Sequence, residues 1–232
     1  MKNITNKLIN KTYKLLISII LITLVLIGPS TITLLYGPNY TNTTIFLKIV
    51  GLIFANIIIL GIYIAIYKDT LIKDFKDFFL KKKLSNNLEL AFKYWLIGFI
   101  IMVASNLLIN LLTQSTIAGN EEAVRKLIDI APIYMLFDVA IYAPLVEELT
   151  FRKSIRDWIN NKKIYILISG LLFGSLHVIG SIKAMSDILF IIPYSALGIS
   201  FAKLYTKSNN IFSSITMHAM HNTLAILLYL FV

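Results

Sequence analysis

Three groups of polar residues interrupt the apolar runs of this sequence, and each combines side chains that can move protons. The first closes the segment APLVEELTFRKSIRDW, where Glu147 and Glu148 are followed by Arg152. On a helix turning by about 100° per residue, Glu148 and Arg152 are four apart and share a face, whereas Glu147 points elsewhere. The spacing therefore predicts that Arg152 pairs with Glu148 and leaves Glu147 free to act as a base. A solvated helix end carries the same residue types, and that reading stays open on this segment alone. Pro144, three residues earlier, frees backbone groups and marks a kink lined by protein or water.

The second group is SGLLFGSLHVIG, in which Phe173 and His177 are four apart. Gly170 and Gly174 form a pair of small residues one turn apart, which lets a neighbouring helix approach closely and brings His177 towards it. The third is SSITMHAMHNTLAILL, where His218 and Asn222 lie four apart on one face. His221, about 60° round from His218, is a reserve candidate. Asp138, nine residues before Glu147, falls on the opposite side of an ideal helix and is expected to meet a Tyr or Asn partner instead.

The elements that position these groups follow from composition. Hydrophobic residues make up 57% of the 232, charged residues only 15%, and mean hydropathy is +0.78. Such a chain is a membrane protein rather than a soluble domain. Its net charge of +10 would suggest nucleic acid in a soluble protein, but the lysines and arginines cluster between apolar runs. There anionic headgroups and the positive-inside rule account for them, and no nucleic acid is implied. With no cysteine, disulfide and thiolate chemistry are excluded.

A bilayer core needs roughly 20 apolar residues per helix. That rule predicts about seven spans, at residues 15–35, 45–67, 94–113, 130–150, 164–179, 186–205 and 211–232. The first follows a basic stretch, is too long for a signal-peptide core and lacks a small-residue cleavage site, so it reads as a retained helix. Segment 68–93 reads as a polar connector, with Phe78, Phe79 and Leu80 suggesting an interfacial helix. An alternating path with a cytoplasmic amino terminus puts 18 of the 22 basic residues inside and leaves Lys48, Arg125, Lys126 and Lys183 outside. The expected fold is an all-α, polytopic membrane bundle in the cell membrane. It forms one domain over 1–232, with no internal repeat and a polar cavity among its last four helices.

The ordered set of EELTFR at Glu147 to Arg152, FGSLH at Phe173 to His177 and HAMHN at His218 to Asn222 resembles the CPBP family of intramembrane proteases. That family includes the CAAX-prenyl proteases and the Abi-type bacterial proteins, and the resemblance covers roughly residues 130–230. It implies that Glu147 with His177 activates a water against a peptide carbonyl, that His218 and Asn222 stabilise the oxyanion, and that Glu148 and Arg152 support the helix end. The substrate would be a membrane-associated or lipid-anchored peptide, as in bacteriocin or pheromone processing or CAAX-like cleavage. A non-catalytic bacteriocin-immunity or scaffold protein would keep the fold without the chemistry. A proton-coupled transporter would use the same ionisable groups, but it commonly shows repeated halves, which are lacking here. A divalent metal such as zinc, held by Glu147, His177 and His218, is the alternative to a metal-free site. The absence of an HExxH helix favours the metal-free one.

Overall fold

The computed structural model describes residues 2–28, 36–115 and 117–231, and among these no strand occurs. The end of the first expected span, at 29–35, lies outside the described residues, as does residue 232. The helices are α1 (Lys2–Ile27), α2 (Ile45–Phe79), α3 (Lys81–Thr113), α4 (Gly119–Ile130), α5 (132–158), α6 (Lys162–Ile179), α7 (Ile191–Ser208) and α8 (Ile211–Phe231). Short 3₁₀ turns at Gly37–Tyr40 and Met185–Phe190 precede α2 and α7. Helix is what an apolar medium imposes, because each backbone donor must find its acceptor within the segment.

The ends of these helices follow local chemistry. Thr44 accepts from Leu47 N–H at the start of α2, and Asn161 accepts from the N–H groups of Lys163 and Ile164 at the start of α6. Gln114 and Asn209 end α3 and α7 in the left-handed conformation, at φ 60° and 50°.

By length and composition, six helical stretches among the described residues can cross a membrane: Ile9–Ile27, Ile45–Phe79, Lys83–Thr113, Lys162–Ile179, Met185–Ser208 and Ile211–Phe231. The expected span at 130–150 sits within α5, which is assembled from short pieces. α-Helical turns at Pro132–Phe137, Ala143–Glu148 and Ile155–Trp158 alternate with π turns at Asp138–Tyr142 and Leu149–Ser154. It runs beside α2, from Asn56 against Asp138 to Lys153 over Tyr67. It is antiparallel to α8, from Tyr229 against Asp129 just before its start to His218 against Glu148. Flanked along its length by two spanning helices, α5 occupies the same slab of the molecule.

Segment 68–93 corrects the sequence reading. It is the continuation of α2 and the first turns of α3, broken at Leu80 alone. Phe78 is buried, while Phe75 and Phe79 pack against Phe212 of α8. Asp74 of this stretch accepts from Ile211 N–H at 3.0 Å, capping α8 from outside. Lysine and aspartate on a helix extension are as compatible with continued helix as with a surface connector, and tertiary contacts choose the former.

Helices α6 and α7 approach closely, and glycine decides the approach. A Cβ on Gly170 would lie 2.8 Å from Ile199 N, and one on Gly174 would run into Ser195 Oγ and lie 2.7 Å from Ser195 N. α7 in turn meets α3 at Gly98 and Ser200, with Ser200 Oγ donating to Tyr94 O at 2.6 Å. The expected neighbour of the Gly170–Gly174 face is thus α7.

Candidate active site

Glu147 and Glu148 lie at the end of the second α-helical piece of α5, His177 near the end of α6, and His218 two turns into α8. Arg152 donates to Glu148 through two nitrogens, Nε to Oε2 at 2.9 Å and Nη2 to Oε1 at 3.1 Å, and both side chains are wholly buried. The remaining guanidinium nitrogen donates to Ser169 Oγ at 3.0 Å, and Ser169 Oγ donates to Phe151 O at 2.7 Å. The rings of Phe151, Phe173 and Phe201 surround the cation. A buried ion pair survives desolvation only when its spare donors are satisfied, and Ser169 supplies that acceptor. Ser169 is a site residue that motif spacing could not find, because its role depends on how α6 lies against α5.

Both histidine tautomers follow from their partners. His177 Nδ1 is 2.8 Å from Phe173 O, an acceptor, so Nδ1 carries the hydrogen. His218 Nδ1 is 3.0 Å from Glu148 Oε1, also an acceptor, and donates likewise. In the neutral ring each Nε2 is then a bare lone pair. These two nitrogens stand 3.7 Å and 3.8 Å from the same atom, Glu147 Oε2. That oxygen is buried and has no hydrogen-bond partner among the described residues. The separations exceed a direct hydrogen bond, so three lone-pair atoms converge where only a group bringing hydrogens, or a cation, relieves their repulsion. A water can donate one hydrogen to Glu147 and the other to a histidine.

A zinc ion is the other occupant that the sequence raised. Two ligands of a tetrahedral ion with bonds of about 2.0 Å stand only about 3.3 Å apart, closer than the observed separations. Among the described residues no group of three or more His, Cys, Asp or Glu side chains is arranged to hold a metal ion.

Aromatic rings fix the imidazoles. His177 stacks on Tyr194 of α7 with ring centres 4.9 Å apart, and His218 stacks on Phe201 at 5.3 Å. Tyr194 was not legible as a site residue, since a tyrosine in an apolar helix carries no signal of what it faces.

The remaining candidates hydrogen-bond to groups other than Glu147. Asn222 donates to Val139 O of α5 at 3.0 Å. His221 accepts from Trp95 Nε1 of α3 at 3.4 Å and takes no part in the cluster. Asp138 accepts from Asn56 Nδ2 at 2.7 Å and from Tyr134 Oη at 3.3 Å, the Asn and Tyr partners expected of it.

The family model described as Type II CAAX prenyl endopeptidase Rce1-like matches residues 129–224, which contain all three motifs. The "UPF0177 protein YxdF" of Lactococcus lactis subsp. lactis (strain IL1403) is 30% identical over 147 residues, 61% of this chain and 79% of that protein. The chain belongs to the CPBP family. Another relative, named "Putative membrane peptidase YdiL" of Bacillus subtilis (strain 168), is 31% identical over 114 residues. That alignment takes in 48% of this CPBP-family chain and 43% of YdiL, so the chain spans less than half of the relative's length. The "UPF0177 protein YvdC" of the same Lactococcus strain is 24% identical over 134 residues, 57% of this chain and 49% of that protein. No solved structure matches the chain.

Proposed function

We propose that the chain is an intramembrane endopeptidase that hydrolyses a peptide bond in a membrane-associated or lipid-anchored peptide through a water activated by Glu147. The observation that carries this reading is the unpartnered Oε2 of Glu147, buried and faced by the Nε2 atoms of His177 and His218 at 3.7 and 3.8 Å. A water there gives one proton to Glu147 while its oxygen attacks the scissile carbonyl carbon, and His177 accepts the second hydrogen bond and orients the nucleophile. The oxyanion takes a hydrogen bond from His218, which enters the step as an imidazolium carrying a solvent proton on Nε2. Collapse of the tetrahedral intermediate breaks the C–N bond, and the proton held by Glu147 passes to the departing amine. Glu148, itself held by Arg152, accepts from His218 Nδ1 throughout.

No metal takes part in this scheme. The substrate class is a short peptide processed at the membrane, such as a bacteriocin or pheromone precursor or a CAAX-like terminus.

The test is reconstitution of the purified protein in proteoliposomes with quenched fluorescent peptides, one set prenylated at a CAAX terminus and one set unmodified leader-like sequences. Cleavage that disappears in Glu147→Gln supports the reading. Proton-coupled uptake by the same vesicles without cleavage of any peptide would replace it with transport.

A further inference from the structure

Pro144 and Asn222 come from different parts of the sequence, yet one completes the hydrogen bonding that the other removes. At the π turn Asp138–Tyr142 the backbone ladder steps by five residues, and Ala143 N–H donates to Asp138 O. The next rung in that register would run from residue 144 to the carbonyl of Val139. Residue 144 is proline and has no N–H, so the rung cannot form. The α-type donor to Val139 would be Ala143, already committed to Asp138. Val139 O is therefore orphaned within its own helix, and a backbone carbonyl left unpaired in an apolar medium is costly. Asn222 Nδ2 from α8 donates to that oxygen at 3.0 Å.

We infer that Asn222 is a positioning residue that replaces the missing amide of Pro144 and so locks the π turn of α5. The consequence reaches Glu147 three residues beyond the proline. The π turn sets the rotation at which the following α-helical piece, Ala143–Glu148, presents its carboxylates. With Val139 O satisfied by α8, the turn is held at a fixed height beside His218, one helical turn before Asn222. Without that bond, the ladder is free to shift between registers, and each shift rotates Glu147 away from the two imidazoles. The catalytic part of this inference rests on Glu147 being the base; the pairing of Asn222 with Pro144 does not.

The pairing makes an unusual prediction, because a substitution that restores a backbone donor should rescue the loss of a side chain on another helix. The experiment is a double-mutant cycle of Asn222→Ala and Pro144→Ala in detergent-solubilised full chain, read by thermal unfolding and by hydrolysis of the best-cleaved peptide of the panel. Asn222→Ala alone is expected to lower Tm by several degrees and to reduce kcat at least tenfold with KM unchanged, measured well below Tm. In the Pro144→Ala background, Asn222→Ala is expected to cost little in either readout, because the backbone N–H restored at position 144 takes Val139 O.

An equal Tm loss from Asn222→Ala in both backgrounds overturns the pairing. If Tm recovers and kcat does not, the pairing stands but the positioning role is overturned, and Asn222 acts on the oxyanion directly. If the unsubstituted protein cleaves none of the peptides, the protease reading fails while the Tm cycle still decides the pairing.

Discussion

The two adjacent glutamates share a sequence context but meet opposite surroundings. Glu148 is saturated by Arg152 and His218, whereas Oε2 of Glu147 has no partner among the described residues. Glu147→Gln removes the proposed base without breaking a bond to that oxygen, so hydrolysis should fall by roughly 10²- to 10⁴-fold at nearly unchanged Tm. Glu148→Gln leaves a buried guanidinium without its counter-charge and should cost about 3 to 5 kcal/mol of stability, visible as a large drop in Tm. Similar Tm losses in both variants would refute this division of roles. The metal question also belongs to this scale. Protein stripped with a strong chelator and checked by elemental analysis should keep most of its peptidase activity. Activity that vanishes with the metal and returns with one equivalent of a divalent ion would reassign Glu147, His177 and His218 as ligands.

Among elements, the α6–α7 contact is the one that delivers His177 to the site. Gly174→Ala would place a methyl 2.7 Å from the Ser195 backbone nitrogen, which cannot turn aside as a side chain can. Overpacking of this kind costs about 1 to 3 kcal/mol, and the separation of the helices should lower kcat as well as Tm. Gly180→Ala is the control, since a Cβ there meets nothing within 4 Å and its φ is −73°. A Tm for Gly174→Ala no lower than for Gly180→Ala would show that the helices have room.

At the opposite rim, Glu122 of α4 is hydrogen-bonded by Lys126 and by Lys183 of the α6–α7 loop, and these ammonium groups hold its carboxyl down at about 2. A depressed folded-state value means that the stabilisation is complete above the ordinary glutamate value of 4.5 and is lost as pH falls towards about 2. Relative to Glu122→Gln, the unsubstituted protein should therefore show a Tm advantage at pH 6 that shrinks below pH 4. The two ammonium groups are solvent-exposed and Glu122 is half-exposed, so the advantage is small and should weaken in high salt. A Tm difference independent of pH would exclude the ion pair as its source.

For the whole molecule, the antiparallel order of the helices puts Glu122, Arg125, Lys126 and Lys183 at one end and Asp74, Lys153 and the start of α8 at the other. The basic residues assigned to opposite sides by charge counting fall at opposite ends. In this cysteine-free chain, single cysteines at Asn87 and Ser181 should separate the two sides. An impermeant thiol reagent added to intact cells should label the cysteine at 181 and spare the one at 87. The reverse pattern would invert the orientation of the helices in the membrane.

How much of this was written in the sequence depends on the range of the interaction. The Glu148–Arg152 pair was legible because a helix fixes the geometry of residues four apart, and a short turn of π ladder leaves that reach intact. The membrane class and the close face of Gly170 and Gly174 were legible because hydropathy and residue size are local properties. The partners Ser169, Tyr194 and Asn56 were not, since each matters only through which face of another helix it meets. Nor was the broken course of α5, because a proline announces a missing donor but not which distant side chain replaces it. The sequence by itself determined the chemistry available, a carboxylate and two imidazoles on helices in an apolar medium. Only the tertiary structure decided that both Nε2 atoms face one unpartnered oxygen, because convergence at under 4 Å is a property of three helices packed together and of none of them alone.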